Sequence, residues 1–154
     1  MSLLRLQERV PSAKRLESAT LKNHQLRFDM CSDDGSGKCN SFQTNNIEDT
    51  VIGTLFEINS NEKYILDSAE SLGHGYDEKL VLVQNNAGDV FEAFIYYAIK
   101  IDTALKPYSW YLNHVILGAK ETKVPTDYLA VIESIESIED LDKARDIKQR
   151  TMYR

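Results

Sequence analysis

The sequence predicts an α+β fold: a small mixed, curved sheet or barrel flanked by helices, closed by a long C-terminal helix. Three observations lead there. Apolar residues alternate over residues 25–31, the period of a half-buried strand, and gather in short runs over 50–58, 80–84 and 90–99 that also read as strands. They recur at helical spacing over residues 60–72 and again beyond Pro125. Strand and helix patterns do not alternate regularly, which argues against a doubly wound parallel sheet.

Residues 2–9 read as a short amphipathic helix carrying Leu3, Leu4 and Leu6, with Pro11 just beyond as a stop. Leu26, Phe28 and Met30 then share one face of a strand, bounded by the turn residues Asp33, Asp34, Gly35 and Gly37. A second strand runs from Thr50 to Ile58, and Gly53 within it suggests a bulge or a close backbone approach. Tyr64, Ile65, Ala69 and Leu72 mark a helix over residues 60–72, with Ser60 or Asn61 as its cap and Gly73 and Gly75 ending it. The strands 80–84 and 90–99 are joined by Asn85-Asn86-Ala87-Gly88-Asp89, a good hairpin loop. Pro107 opens a segment of large residues, Tyr108 to Lys120.

From Pro125 the spacing predicts one long helix in which Ile132, Ile135, Ile138, Leu141, Ala144 and Ile147 recur every three residues. Such a step drifts by about 60° around a helix at each repeat, so the apolar stripe wraps across more than one neighbour. Acidic residues come early and basic ones late in this segment, which suits the helix dipole. Glu139–Lys143 and Asp146–Arg150 are favourable pairs four apart.

Composition narrows the function classes. The chain has 154 residues, enough to bury a core without disulfide or metal staples. A net charge of −6 disfavours nucleic acid and anionic membranes as partners. No apolar run nears the roughly 20 residues that span a bilayer. The start, Met-Ser-Leu-Leu-Arg, lacks the basic and apolar regions of a secretion signal. The expected location is therefore the cytoplasm, and Cys31 and Cys39 are expected as reduced thiols. Their spacing fits no common zinc pattern, and His24, His74 and His114 each stand alone. No metal or cofactor is expected. Gly-x-Ser-x-Gly, P-loop and dinucleotide-binding motifs are absent.

The most informative segment is Leu66-Asp67-Ser68-Ala69-Glu70-Ser71-Leu72-Gly73-His74-Gly75-Tyr76. Asp67 and Glu70 lie three apart on a helix, so both are expected at one site. Glu70 falls in the last turn beside Ala69 and Leu72, where the negative dipole end and lost solvent would raise its pKa. That is the setting of a general base working near neutrality.

The order of motifs resembles the γ-glutamylcyclotransferase-like family. The likeness is carried by Arg9-Val10-Pro11-Ser12-Ala13, Leu26-Arg27-Phe28, Ser36-Gly37-Lys38, and Val51 to Ile58. It continues through Leu66-Asp67-Ser68-Ala69-Glu70, Ala93-Phe94-Ile95-Tyr96, Pro107-Tyr108-Ser109-Trp110-Tyr111 and Gly118-Ala119-Lys120-Glu121. The resemblance implies a catalytic glutamate at Glu70 and pocket tyrosines at Tyr76, Tyr96 and Tyr111. It implies a small-molecule γ-glutamyl amide as substrate, cyclised to 5-oxoproline with release of the amine, and no cofactor. It also suggests a γ-glutamylcyclotransferase-like domain over residues 1–130, with 131–154 as its helical extension.

Two departures stand out. Ser71 replaces the glycine that follows the family's glutamate. The family's opening strand and Tyr-Gly-Ser-Asn substrate loop have no counterpart in this sequence, which begins at the methionine that follows them. The alternative expectation is therefore a non-catalytic small-ligand-binding member of the same fold, or a chain begun at an internal methionine.

Overall fold

A computed structural model describes residues 1–153. Helix α1 (Leu3–Gln7) leads into β1 (Lys14–Lys22), β2 (His24–Cys31), β3 (Gly37–Gln43) and β4 (Thr50–Glu57). Helix α2 (Lys63–Ala69) precedes the hairpin of β5 (Tyr76–Asn85) and β6 (Val90–Ala98), and α3 (Ser109–Thr122), α4 (Thr126–Glu133) and α5 (Lys143–Thr151) complete the chain. The strands form a four-stranded sheet in the order β4-β1-β5-β6 and a two-stranded sheet of β2 and β3.

The two sheets curl toward each other. β3 lies against β6 and β2 against β4. Asn40 stitches the first seam, its Oδ1 accepting from Ala98 N–H at 3.0 Å while its Nδ2 donates to Asp29 at 2.9 Å. The sheet was expected to be mixed. Every strand pair among the described residues is antiparallel instead; in β2–β3 and β5–β6 the turn that joins the strands is too short for a parallel crossover. Pairing is long between β1 and β4 and between β5 and β6, but β1 meets β5 only at Ala19–Asn85 and Thr20–Gln84. In that antiparallel register β5 runs past the end of β1 at Lys22 on its way to Tyr76.

Strands β1 and β3 do not show in the hydrophobic pattern. A register shift between Arg15 and Ser18 puts β1 out of phase, so its buried residues, Ala19 and Leu21, follow an exposed Leu16. In β3 the buried positions are Gly37 and Asn40, neither of them apolar and large. A Cβ at Gly37 would lie 2.1 Å from the Phe28 carbonyl oxygen, so the two strands approach there as only glycine allows. Gly53, by contrast, carries no bulge and has nothing within 4 Å of an added Cβ.

The helix expected from residue 60 begins as a 3-10 turn, Ser60–Glu62, and neither it nor α2 has a side-chain cap. A helix does end the chain, but the single long helix expected from Pro125 is two. After Ser134 the chain runs extended, and Ile138 pairs with Tyr108 at the foot of α3, its N–H donating to the Pro107 carbonyl at 3.0 Å. The break does not bury the whole stripe: Ile132 is buried and Ile135 half-buried, but Ile138, Leu141, Ala144 and Ile147 stay exposed. Helix α5 then starts afresh, with Asp142 Oδ1 accepting from Arg145 N–H at 3.0 Å as its N-cap. Buried Asp140 sits just before it, accepting from Trp110 Nε1 at 2.8 Å and from both Nε and Nη2 of Arg145. The charge pairs Glu139–Lys143 and Asp146–Arg150 both form, at 3.4 and 2.9 Å.

Candidate active site

Glu70 is placed by the way α2 ends. It is the C-cap residue, and Ser71 beyond it adopts a left-handed φ of 52°. Ser71 N–H donates to Ser68 O at 3.1 Å and Leu72 N–H to Asp67 O at 3.0 Å, the paired bonds of a Schellman motif. Glycine usually occupies the left-handed position. Ser71 keeps the turn, so this departure from the family pattern leaves Glu70 in place.

The Glu70 side chain turns toward the barrel. Its Oε1 accepts from Arg9 Nη1 at 2.6 Å, and both side chains are largely withdrawn from solvent, at 16% and 29% exposure. Glu70 lines a cavity of ≈ 620 Å³ with Leu6, Phe56, Leu66, Phe91 and Tyr96. A smaller cavity of ≈ 220 Å³ adjoins it, sharing Met1 and Gly53 in its walls and lined by Arg5, Cys39, Tyr111 and His114. The open position at Gly53 thus serves the space between the two rather than the strand.

The three predicted tyrosines divide. Tyr76 and Tyr111 meet on one residue: Tyr76 Oη donates to the Cys39 carbonyl at 2.5 Å, and Cys39 N–H donates to Tyr111 Oη at 3.0 Å. Burial holds both phenols above their ordinary range. Burial also pushes the Cys39 thiol up to about 11, so it is not a thiolate nucleophile near neutrality. Cys31 and Cys39 are both free thiols. Tyr96 lines the larger cavity with Glu70, but its hydroxyl donates to Asp67 Oδ1 at 2.6 Å.

Asp67 does not join Glu70. Its carboxylate is paired with Lys63 and Tyr96, and these contacts outweigh burial and lower its pKa. Glu70 N–H still bonds to Leu66 O at 2.9 Å at the end of α2, and the two side chains leave that end for different partners, Asp67 for Lys63 and Tyr96 and Glu70 for Arg9. Asp67 instead lines a separate groove with Cys31, Ser71 and His74.

Two residues had no role in the sequence reading. Arg9 is the partner of Glu70, and Arg5 enters the smaller cavity. Their spacing of four was the available signal, since it places both on one side of a helical segment. Arg5 is held by a ring of hydrogen bonds. Its N–H donates to Ser2 Oγ at 3.3 Å, Ser2 Oγ meets Tyr153 Oη at 3.0 Å, and Tyr153 Oη meets His114 Nδ1 at 2.9 Å. His114 Nε2 and Arg5 Nη1 then converge on Gln149 Oε1, at 2.9 and 3.0 Å. Burial, reinforced by the Arg5 guanidinium, pushes the His114 pKa down to about 4. Among the described residues no three His, Cys, Asp or Glu side chains gather to hold a metal ion, and no helix is long and apolar enough to cross a membrane.

The AIG2-like family model matches residues 50–132, just over half of the chain and the part that carries β4, α2, the hairpin and α3. A solved structure described as a gamma-glutamyl cyclotransferase is 23% identical, with a TM-score of 0.84 over 97% of this chain and 92% of that one. An uncharacterized protein from Homo sapiens is also 23% identical, with a TM-score of 0.86 over 98% and 91% of the two chains. YkqA from Bacillus subtilis is 16% identical with a TM-score of 0.66, and the match spans 87% of this chain but 49% of that one. No curated protein matches the chain. At these identities the structural likeness is one of fold. With the family model covering the site-bearing half, the chain belongs to the AIG2-like family and has the γ-glutamylcyclotransferase-like fold.

Proposed function

We propose that the protein is a γ-glutamylcyclotransferase-type enzyme that converts a γ-glutamyl amide to 5-oxoproline and a free amine, with Glu70 as the general acid and base. The supporting observation is a carboxylate held at the wall of a largely apolar cavity by one arginine contact. A substrate ammonium can replace that contact.

The reaction is intramolecular. The α-nitrogen of the substrate attacks its own γ-carbonyl carbon, a new C–N bond closes the five-membered lactam, and the bond to the leaving nitrogen breaks. A tethered nucleophile leaves the protein mainly to fold the substrate, which is worth several kcal/mol of barrier. Glu70 takes one proton from the ammonium so that the amine can attack, and hands it to the leaving nitrogen as the tetrahedral intermediate collapses. The second proton shed by the attacking nitrogen follows the same route. The lactam keeps one N–H and the amine departs as an ammonium. Tyr96 and Tyr111 serve as walls of the substrate space in this reading, and buried Tyr76 supports them through the Cys39 carbonyl that its hydroxyl holds. No cofactor takes part, and the reaction is placed in the cytoplasm.

The test is release of 5-oxoproline from a panel of γ-glutamyl amides by the wild type and by Glu70→Gln. Glutamine keeps an acceptor for Arg9, so the fold is expected to hold. Turnover is expected to drop by about 10²–10⁴-fold. Equal activity in the two proteins would rule out Glu70 as the base. Thermal stabilisation by the amides without turnover would favour a ligand-binding protein on the same fold.

A further inference from the structure

The two adjoining cavities differ in charge and in polarity. Among the described residues, Arg5 is the only charged side chain in the wall of the smaller one, since His114 there is neutral near pH 7. The wall of the larger one holds two acids, Glu70 and Glu92, and no lysine or arginine among the described residues. Arg9 reaches Glu70 from outside both walls. The rest of the larger wall is mostly apolar. Leu16, Leu80 and Phe94 line it yet remain exposed, so apolar surface at its mouth is left to solvent. That is surface an apolar ligand would cover. At ≈ 620 Å³ the space is of the size that takes a whole small molecule. A γ-glutamyl head cannot use such a wall, because its carboxylate and ammonium would lose water and gain no polar partner there.

We propose that the larger cavity takes the leaving amine, and that the preferred substrates are γ-glutamyl amides of uncharged, apolar amines of the size of hexylamine or phenethylamine. The inference rests on the cyclotransferase reading of Glu70. The head lies with its ammonium at Glu70 and its carboxylate toward Arg5, so each of its charges meets one opposite charge. The amide then falls where the cavities join, at Gly53, which lines both. A Cβ on Gly53 would meet nothing within 4 Å, and its φ is not left-handed. The backbone therefore does not require glycine there, and the space it leaves open is room for the substrate. Beyond that junction the leaving substituent lies among Leu55, Phe91 and Ile95. A γ-glutamyl amino acid would bring a second carboxylate into a wall that offers only Glu70 and Glu92. Lost water and like charge both count against it.

The test is a series of γ-glutamyl n-alkylamides from ethyl to hexyl, together with γ-glutamylphenethylamine and γ-glutamylphenylalanine, which differ only by a carboxylate. For the wild type, kcat/KM is expected to rise about two- to fourfold with each methylene. It is expected to be about tenfold higher for the phenethylamine compound than for the phenylalanine one. Gly53→Val fills the junction without a collision at Cβ. Its Tm is expected to hold while the rise along the series flattens. Glu92→Gln, at an exposed position, is expected to narrow the carboxylate gap about two- to fivefold, and an unchanged gap would overturn the part given to Glu92. Equal kcat/KM along the wild-type series would overturn the inference while leaving the cyclotransferase reading intact. So would a preference for γ-glutamylphenylalanine. An undiminished rise in Gly53→Val would put the alkyl chain outside this cavity and overturn it as well. No turnover of any of these compounds would overturn the reading of Glu70 and the inference with it.

Discussion

His114 ties three helices together and does so as a neutral imidazole. It is 2% exposed, and burial with the nearby Arg5 charge brings its pKa from an ordinary 6.5 to about 4. Below pH 6.5 the unfolded chain binds a proton at this position that the folded protein refuses. The stability His114 contributes is therefore complete above pH 6.5 and is lost as pH falls toward 4. A gap of about 2.5 units at 1.36 kcal/mol each gives about 3 kcal/mol in full and about 2 kcal/mol by pH 5. For a chain of this size that is a fall in Tm of about 4–8 °C between pH 7 and pH 5. Carboxylates also titrate toward the lower end of that range, so the comparison is with His114→Gln, which keeps a polar, helix-compatible side chain in the ring. Thermal unfolding of both proteins across pH 4–8 should give curves that converge on acidification, with the wild type losing stability faster. Curves that stay parallel would refute the claim that a neutral His114 is what locks α1, α3 and α5 together.

Ser71→Gly should stabilise the protein. A left-handed serine costs about 1–2 kcal/mol and glycine returns about 0.5–1 kcal/mol of that as lost chain entropy, leaving a gain of about 0.5–1 kcal/mol. A rise of about 1–4 °C in Tm is expected, and a fall would show that the Ser71 side chain does something beyond filling the turn. Gly37→Ala should destabilise by about 1–3 kcal/mol, because its Cβ collides with the backbone oxygen of Phe28 rather than with a movable side chain. Denaturant unfolding with an unchanged midpoint would mean that β2 and β3 separate at no cost.

Much of this fold is legible because burial and periodicity coincide. β2 alternates, β4 and the β5–β6 hairpin are short apolar runs bounded by turns, α2 has its apolar spacing, and the turns carry Gly, Asn and Asp. β1 was hidden by its register shift and β3 by burying Gly37 and Asn40, whose roles are close approach and side-chain hydrogen bonding. The break between α4 and α5 was misread because the Ile stripe satisfied a helical count, while the partner that draws Ile138 out of the helix is Tyr108, 30 residues earlier. At the site, Glu70 was reachable from local sequence because a helix end is a local event. Its pairing with Arg9 was not, since 61 residues separate them. Asp67 and Glu70 were expected together on a three-residue spacing, but distant partners, Tyr96 for the one and Arg9 for the other, draw them apart.

The short contact between β1 and β5 has a kinetic consequence. Strand β5 is bonded to β6 along its full length but to β1 only near Asn85, while its start is pinned through Tyr76 Oη to Cys39. Alternate amides of an antiparallel strand point to opposite neighbours. Between Asp77 and Val83, those facing β6 should resist deuterium exchange and those on the opposite edge, which runs past the end of β1, should exchange rapidly, residue by residue along one strand. Such a strand gives the cavity a wall fixed at both ends and compliant in the middle, able to bow around a bound molecule without melting the hairpin that carries Tyr96.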